Sequence, residues 1–248
     1  MDDLDRLEET IRLAQQKPHL VAAASCSMRF HVCCQKIKEI IDSGLLGPRE
    51  RSFSVYHGGS YLPDWHPYES IQDYYAGSRK TGGGCDMITF EFDWLCWLLG
   101  DACQVSAQAR KNATYPADIF DTYQVLAQFE GGNTLTATID VVTRYANRSF
   151  RYMTEKGALY WDINSHAVKL HLGDADTWKI FPETPISGLP SDWSLFDIYR
   201  DETRLFIDAC NKKATFPNSF DNNLRLCRLV QACEKSSAEG VVVNLKDK

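Results

Sequence analysis

The sequence lacks the features that mark several specialised classes of protein. It has no run of 18 apolar residues, so we expect no membrane span. Its first residues, Met-Asp-Asp-Leu-Asp, are acidic and lack the apolar core of a secretory signal peptide. No run of five like charges and no basic stripe occurs, which disfavours a nucleic-acid surface. We therefore expect a cytoplasmic protein that contacts neither membrane nor nucleic acid.

The cysteines show no pattern of a disulfide framework or a metal site. There are nine, an odd number, and no Cys-x-x-Cys pair is present. A zinc site needs ligand spacings that the sequence does not offer. We expect buried, reduced thiols and no metal. An activated thiol at Cys85, after three glycines, is a weaker alternative because no nucleophile motif accompanies it.

Length and composition indicate a globular protein. The chain of 248 residues can bury a sizeable core as one domain, or as one domain plus a fragment. The apolar fraction of 44% and the charged fraction of 24% are ordinary for such a protein. No low-complexity tract occurs, so long disorder is not expected.

One glycine-rich stretch stands out, because residues 82–84 are all glycine and an apolar run follows them. Four apolar residues in this run lie on one face of a helix, at spacings of four, three and four: Ile88, Phe92, Leu95 and Leu99. Gly100 then stands where a helix is often capped. Taken alone, the stretch predicts a loop that leads into a buried helix.

The rest of the chain predicts helices at both ends and a sheet between them. Periodicity and turn signals predict helices at residues 3–16, 32–42, 196–211 and 219–237. The same signals predict strands at residues 19–25, 48–56, 105–109, 122–130, 135–141, 150–155, 158–162, 167–172, 177–181 and 240–245. Residues 58–80 are interpreted as an ordered irregular segment, and residues 182–190 as a loop.

Sequential strands with short turns predict an α+β fold, with an open, mainly antiparallel sheet and helices on one face. The other face of the sheet would then be free for a ligand or for a second copy of the chain. We expect a homodimer or a higher homo-oligomer that pairs through this open face.

The order of several short motifs carries a family resemblance. Met28-Arg-Phe-His31 is followed by Gly59-Ser-Tyr-Leu-Pro-Asp-Trp-His-Pro67, by Ser78-Arg-Lys-Thr and by the three glycines. This order resembles the C-terminal part of the glucose–fructose oxidoreductase / inositol dehydrogenase (Gfo/Idh/MocA) family of nicotinamide-dependent sugar oxidoreductases. The resemblance covers residues 4–245. It implies an Arg-Phe pair after the dinucleotide domain and a glycine-led helix that presents an Asp and a His to a small, polar, sugar-like ligand.

The resemblance also implies a division of the chain. Residues 1–27 resemble the last helix and strand of a dinucleotide-binding (Rossmann) domain, and residues 28–248 resemble the substrate and oligomerisation domain. A remnant of this kind leaves apolar faces uncovered unless a partner buries them. We therefore expect, as one possibility, a separate nucleotide-binding subunit.

Two departures from the family bear on catalysis. The chain starts about where the family's Glu-Lys-Pro motif, with its catalytic lysine, has just ended. Phe90, in Phe90-Glu91-Phe92-Asp93, occupies the position matched to the active-site histidine, and phenylalanine cannot transfer a proton. We assign no catalytic residue. NAD or NADP is expected only if a separate Rossmann domain is supplied, and none is expected on this chain alone.

Six residues are candidates for substrate binding: Arg29, Tyr61, Trp65, His66, Arg79 and Asp86. Arginine is a planar donor of several hydrogen bonds, aromatic rings stack on sugar faces, and His and Asp bond hydroxyl groups. Each has a structural alternative. The arginines can form ion pairs or be solvated, the aromatic segment can pack on itself, and Asp86 can offset a helix dipole.

Two functional hypotheses remain open at this point. The first is a substrate-binding and oligomerisation domain related to NAD(P)-dependent sugar oxidoreductases that is not catalytic as an isolated chain. The second is a non-catalytic module that binds a sugar-like ligand or only itself. An unrelated α+β protein with chance glycines is a third, weaker hypothesis.

Overall fold

The computed structural model describes residues 4–81, 84–183 and 195–245, without the side chains of residues 84–86 and 195–196. Most of the loop predicted at residues 182–190 lies outside this range. Within the described part of the chain, no helix combines the length and apolar character needed to cross a membrane.

Five α-helices form in the described residues, where periodicity and capping predict them. They are α1 (Leu4–Gln15), α2 (Val32–Asp42), α3 (Gly84–Leu99), α4 (Leu195–Cys210) and α5 (Phe220–Glu239). The side chain of His31 caps α2 by accepting from the backbone N–H of Cys33, and Ser219 caps α5 in the same way. Gly100, with φ of +102°, ends α3 as predicted.

Nine strands form one open sheet in the described residues. They are β1 (Ser52–Tyr61), β2 (Ala102–Arg110), β3 (Thr122–Phe129), β4 (Thr134–Asp140), β5 (Val142–Thr154), β6 (Gly157–Asp162), β7 (Ala167–Leu172), β8 (Lys179–Pro182) and β9 (Val243–Asn244). Their order is β8-β7-β6-β5-β1-β4-β3-β2-β9. The β1–β4 pair is parallel and the other pairs are antiparallel, which confirms the predicted fold class.

The core lies between one face of the sheet and the helices α2, α3 and α5. The four residues predicted on the inner face of α3 are all buried: Ile88, Phe92, Leu95 and Leu99. They pack with inward side chains of the strands such as Tyr56, Val125 and Phe150. None of the described helices packs on the opposite face of the sheet, in agreement with the prediction of helices on one face.

Strand β1 turns its small polar residues towards the core. Ser52 and Ser54 are buried, whereas Phe53 is 53% exposed and Val55 is 41% exposed on the open face. The buried amide of Asn133 explains this orientation. It donates to Oγ of Ser52 at 2.5 Å and accepts from Oγ of Ser54 at 3.3 Å. The serines therefore satisfy a buried polar group that would otherwise be unpaired.

The strand predicted at residues 19–25 does not form, and this prediction was wrong. Residues 21–26 have no regular secondary structure and pair with none of the described strands. A strand needs a neighbour to bond its backbone, and here side chains take that place. Asn218 donates to the carbonyl of Ser25, and Glu202 accepts from the backbone N–H of Cys26. The helical part of the predicted remnant is present as α1.

Candidate functional site

Phe90, the residue at the matched histidine position, lies in the second turn of α3 and is half-buried. The guanidinium of Arg148, from β5, lies over its ring, 5.5 Å from the ring centre. Arg148 is paired across the strands with Gly58 of β1. Its side chain reaches the helical face of the sheet and is 18% exposed.

Glu91 lies beneath this pair and is fully buried. It accepts from Nε of Arg148 at 2.9 Å, from Nε1 of Trp94 at 2.9 Å and from the hydroxyl of Tyr56. Three donors, one of them charged, offset the cost of burying the carboxylate. Gly58 is needed beside this network, because an added Cβ would lie 2.3 Å from the hydroxyl oxygen of Tyr56.

The electrostatics of this network fix its protonation. Burial, followed by the charge of Glu91, raises the pKa of Tyr56 well above its ordinary value, so its hydroxyl stays a donor. Burial alone would lower the pKa of Arg148, but Glu91 and Tyr56 outweigh it and the pKa rises. Neither Tyr56 nor Arg148 releases a proton near neutral pH, so neither of them acts as a general base there.

His31 lies near Arg148, and the positive charge of Arg148 acts on its imidazole ring. Its Nδ1 accepts from the backbone N–H of Cys33 at 3.2 Å, its ring packs edge-on against Trp161, and its Nε2 lies 3.5 Å from Oε1 of Glu183. Burial, then the charges of Arg148 and His166, lower the pKa of His31 to about 4. His31 is therefore neutral at pH 7. Among the described residues, no group of three or more metal-ligating side chains is placed to hold a metal ion.

The predicted ligand-binding residue Arg29 is engaged in an ion pair. It bonds both carboxylate oxygens of Asp93, and it also donates to the carbonyl of Pro217 at 3.2 Å. Burial raises the pKa of Asp93, and Arg29 partly opposes the rise. The pair lies in the wall of a cleft of about 520 Å³, which Trp97 and Arg225 also line. This arrangement fits the structural alternative for Arg29, and its role in ligand binding stays a prediction.

Tyr61 and Trp65, two more predicted ligand residues, are half-buried in contacts near the end of β1. The guanidinium of Arg144 lies 4.1 Å from the ring centre of Tyr61. Nε1 of Trp65 donates to Oγ of Ser60 at 3.1 Å. Trp65 is therefore bonded within its own segment, as the structural alternative predicts, whereas Tyr61 contacts Arg144 of β5 and Tyr115.

His66, in the same segment, stacks on Tyr74 with ring centres 4.3 Å apart. Its Nδ1 lies 3.0 Å from the hydroxyl of Tyr68 and 3.5 Å from a carboxylate oxygen of Glu69. This aromatic group leads into the segment that precedes α3. A ligand role for His66 also stays a prediction.

Arg79 and Asp86 flank the start of α3. The side chain of Arg79 is ion-paired with Glu234 of α5 and lies 5.2 Å from the ring centre of Phe120. Glu234 also accepts from the hydroxyl of Tyr123 at 2.9 Å, so Arg79 ties this segment to α5. Asp86 lies in the first turn of α3, and its side chain lies outside the described residues.

Sequence reasoning missed Arg148, which the structure brings over Phe90. No motif marks it, because its role depends on the register of β1, β5 and α3. The one usable signal was Glu91, a carboxylate within a helix predicted to be buried. A buried carboxylate needs a cation or several donors, and an arginine on a neighbouring strand is a natural source.

Comparison with known proteins decides the family. The model of the GFO/IDH/MocA C-terminal domain matches residues 34–160, about half of the chain. The chain belongs to the GFO/IDH/MocA family. This confirms the predicted resemblance, and with it the relation to the sugar oxidoreductases of that family. None of the curated proteins matches the chain.

Solved structures of oxidoreductases share the fold. An NAD binding oxidoreductase from Klebsiella pneumoniae is 18% identical with a TM-score of 0.79, and the match covers 98% of this chain and 70% of that one. An oxidoreductase from Agrobacterium radiobacter, in complex with NAD+, L-tartaric acid and magnesium, is 15% identical with a TM-score of 0.76, and the coverage is 98% and 70%. An aldose-aldose oxidoreductase from Caulobacter crescentus, complexed with glycerol, is 18% identical with a TM-score of 0.74, and the coverage is 98% and 69%.

At these identities the likeness establishes the fold alone. The chain spans about seven tenths of the length of these three proteins, so part of each has no counterpart in the sequence described here.

Proposed function

We propose that this chain is the substrate-binding and oligomerisation part of a sugar oxidoreductase of the GFO/IDH/MocA family, and that it is not catalytic by itself. The observation that carries the proposal is Phe90. It occupies the position at which the family resemblance implies a proton-transferring histidine, and it lies beneath Arg148. The neighbouring carboxylate, Glu91, is buried and bonded to three donors, so it does not take over that task.

A nucleotide-binding unit, in the same polypeptide or in a separate chain, would supply the dinucleotide. The solved relatives named as NAD-binding extend beyond the part that matches this chain. Leu13 and Leu20, in and after α1, are each about half exposed, and residues 21–26 run without a strand partner among those described. An unpaired segment beside exposed apolar side chains suits docking against the edge of another sheet.

The open face of the sheet would join copies of the chain. Phe53, Val55, Leu126 and Ile180 point to this face and are each more than 40% exposed. Val55 and Leu126 both flank Thr136 of β4, so two of these apolar side chains lie in one row across the sheet. A broad apolar face of this kind suits a self-complementary two-fold interface.

A second candidate function is a binding module that holds a sugar-like ligand, or only itself, without turnover in any assembly. Phe90 favours this alternative as well, because restoring the cofactor would not restore the missing proton-transfer group. The two candidates differ in whether a nucleotide-binding partner exists.

The purified chain is first titrated with NADH and NADPH, and binding is measured by nicotinamide fluorescence. Hydride transfer is then assayed with a panel of aldoses and inositols as substrates. We expect neither binding nor turnover. Nucleotide bound by the described chain alone would overturn the proposal. A tagged chain is then used to capture partners from its own source. We expect a dinucleotide-binding protein that also supplies the proton-transfer group, such as the lysine implied by the family resemblance, so that its addition gives turnover.

Leu20→Asp provides a matched variant, since it should abolish that capture without changing the fold. The control is Leu126→Asp, because Leu126 is as exposed as Leu20 but lies on the open face of the sheet. This variant should still capture the nucleotide-binding partner. If a captured nucleotide-binding protein gives no turnover with any sugar, the binding module becomes the better description.

A further inference from the structure

The guanidinium of Arg148 has donors that the protein leaves open. Among the described residues, Glu91 is its one hydrogen-bonding or ion-pairing partner, and Glu91 uses Nε alone. The side chain is 18% exposed, and neither terminal nitrogen is a buried atom without a hydrogen-bond partner, so both remain in contact with solvent. An arginine held by Nε, with its terminal amino groups free, is already oriented for a second planar partner.

The surroundings hold this guanidinium in place. The guanidinium carbon lies 5.5 Å from the ring centre of Phe90. Glu91 is held in position because Trp94 and Tyr56 also donate hydrogen bonds to it. Little side-chain freedom is left to lose when a ligand binds, which favours affinity.

The charges around Arg148 favour an anion over a neutral polyol. The carboxylate of Glu91 already accepts from three donors and bonds only Nε of Arg148, so the terminal nitrogens of the arginine are not used by it. The other ionisable groups that act on Arg148 or share its surroundings are the hydroxyls of Tyr56 and Tyr199, the thiol of Cys34, and His31, which is neutral at pH 7 and lies beside Glu183. No described carboxylate other than Glu91 pairs with it.

We propose that Arg148 binds the carboxylate of an acidic sugar, so that the ligand class of this site is a hexuronate-like sugar acid. The inference rests on the proposed function, because it takes the surroundings of Phe90 as the sugar site. The terminal nitrogens of Arg148 donate two parallel hydrogen bonds to the carboxylate, and the ring of the sugar lies towards Phe90. Arg148 acts by positioning the ligand and takes no part in proton transfer.

The experiment compares paired sugars by isothermal titration calorimetry on the intact chain. D-glucuronate and D-galacturonate are titrated against D-glucose and D-galactose, which share the ring but lack the carboxylate. We expect each acid to bind about tenfold more tightly than its neutral partner, or better, since two charge-assisted hydrogen bonds are gained. Arg148→Gln should remove this preference, and Arg148→Lys should retain part of it.

Arg151→Gln is the matched control. Arg151 lies on the same strand three residues later, on the opposite face of the sheet, over the ring of Tyr160 at 5.0 Å. Its loss should leave the preference for acids unchanged. Because Arg148→Gln leaves Glu91 buried without its cation, the double variant Glu91→Gln/Arg148→Gln provides a folded protein for the same titration.

The outcomes separate the two proposals. Equal binding of acids and neutral sugars would overturn the role of Arg148 and leave the sugar site standing. A preference for acids that survives in the double variant would also overturn it. If no sugar of either kind binds, the proposed sugar site fails together with the inference.

Discussion

Arg29 and Asp93 form a two-point ion pair that joins the segment before α2 to α3. Nε of Arg29 donates to Oδ2 of Asp93 at 2.9 Å, and Nη2 donates to Oδ1 at 2.5 Å. Both side chains are at least nine-tenths buried. Asn218, from the segment before α5, also donates to Oδ1 of Asp93, so three parts of the chain meet at one carboxylate.

Replacing Arg29 by alanine should destabilise the protein strongly. The substitution leaves the carboxylate of Asp93 buried without its cation, and such losses cost about 3–5 kcal/mol of unfolding free energy. Urea unfolding followed by tryptophan fluorescence measures the change. Arg200→Ala is the control, because Arg200 pairs with Asp197 at a more exposed site, where the expected loss is below about 1 kcal/mol. A loss of sugar binding at unchanged stability would instead favour the ligand role of Arg29.

The elements that local sequence could predict are those that local physics determines. Helix α2 occupies the predicted residues because its apolar period and its capping residue lie within the segment itself. The β3–β4 hairpin follows from clean alternation around Gly131, Gly132 and Asn133. The strand predicted at residues 19–25 failed because a strand exists only against a neighbour, and none of the described strands pairs with it.

The candidate site was less predictable for the same reason. The glycine-led helix implied by the motif order forms as α3, and Phe90 lies in it. The partner of Phe90, Arg148, depends on which β1 residue faces β5, and no local pattern encodes that register. The partner of Arg29 was likewise hidden, because no local pattern links it to Asp93, which lies 64 residues later in the chain.

Because His31 is buried in its neutral form, we expect the free energy of unfolding to decrease in acid. Its pKa in the folded protein is about 4, below the ordinary value of 6.5. As the pH falls below 6.5, the unfolded chain takes up a proton that the folded protein does not, so the free energy of unfolding decreases until about pH 4. The contribution of His31 approaches about 1.4 kcal/mol per pH unit in this range. Urea unfolding at a series of pH values measures the slope.

The matched variant for this test is His31→Asn, whose side chain can still accept the N–H of Cys33 at the start of α2. We expect a shallower decrease of stability between pH 6.5 and 4 than in the parent protein. An identical slope in the two proteins would show that groups other than His31 dominate acid unfolding.

We expect copies of the chain to associate through the open face of the sheet. Val55 and Leu126 are 41% and 55% exposed on that face. The double substitution Val55→Lys/Leu126→Lys places two like charges in the proposed interface and should convert the dimer to monomer in analytical ultracentrifugation. Leu20→Lys is the control, since Leu20 is 56% exposed but lies outside the sheet. A parent protein that is monomeric at all concentrations would contradict the proposed interface.

The thiols should divide into a reactive and an inert class. Burial raises the pKa of Cys33 and of Cys233 to about 12, so neither forms an appreciable thiolate at pH 8. Cys210, at the end of α4, is exposed. Brief iodoacetamide treatment of the native protein, followed by mass spectrometry, should therefore modify Cys210, and Cys210→Ser should remove one adduct. Cys233→Ser should leave the native adduct count unchanged and lower it by one only in urea, because its thiol becomes accessible on unfolding. Modification of Cys33 in the native protein would mean that α2 separates from the sheet.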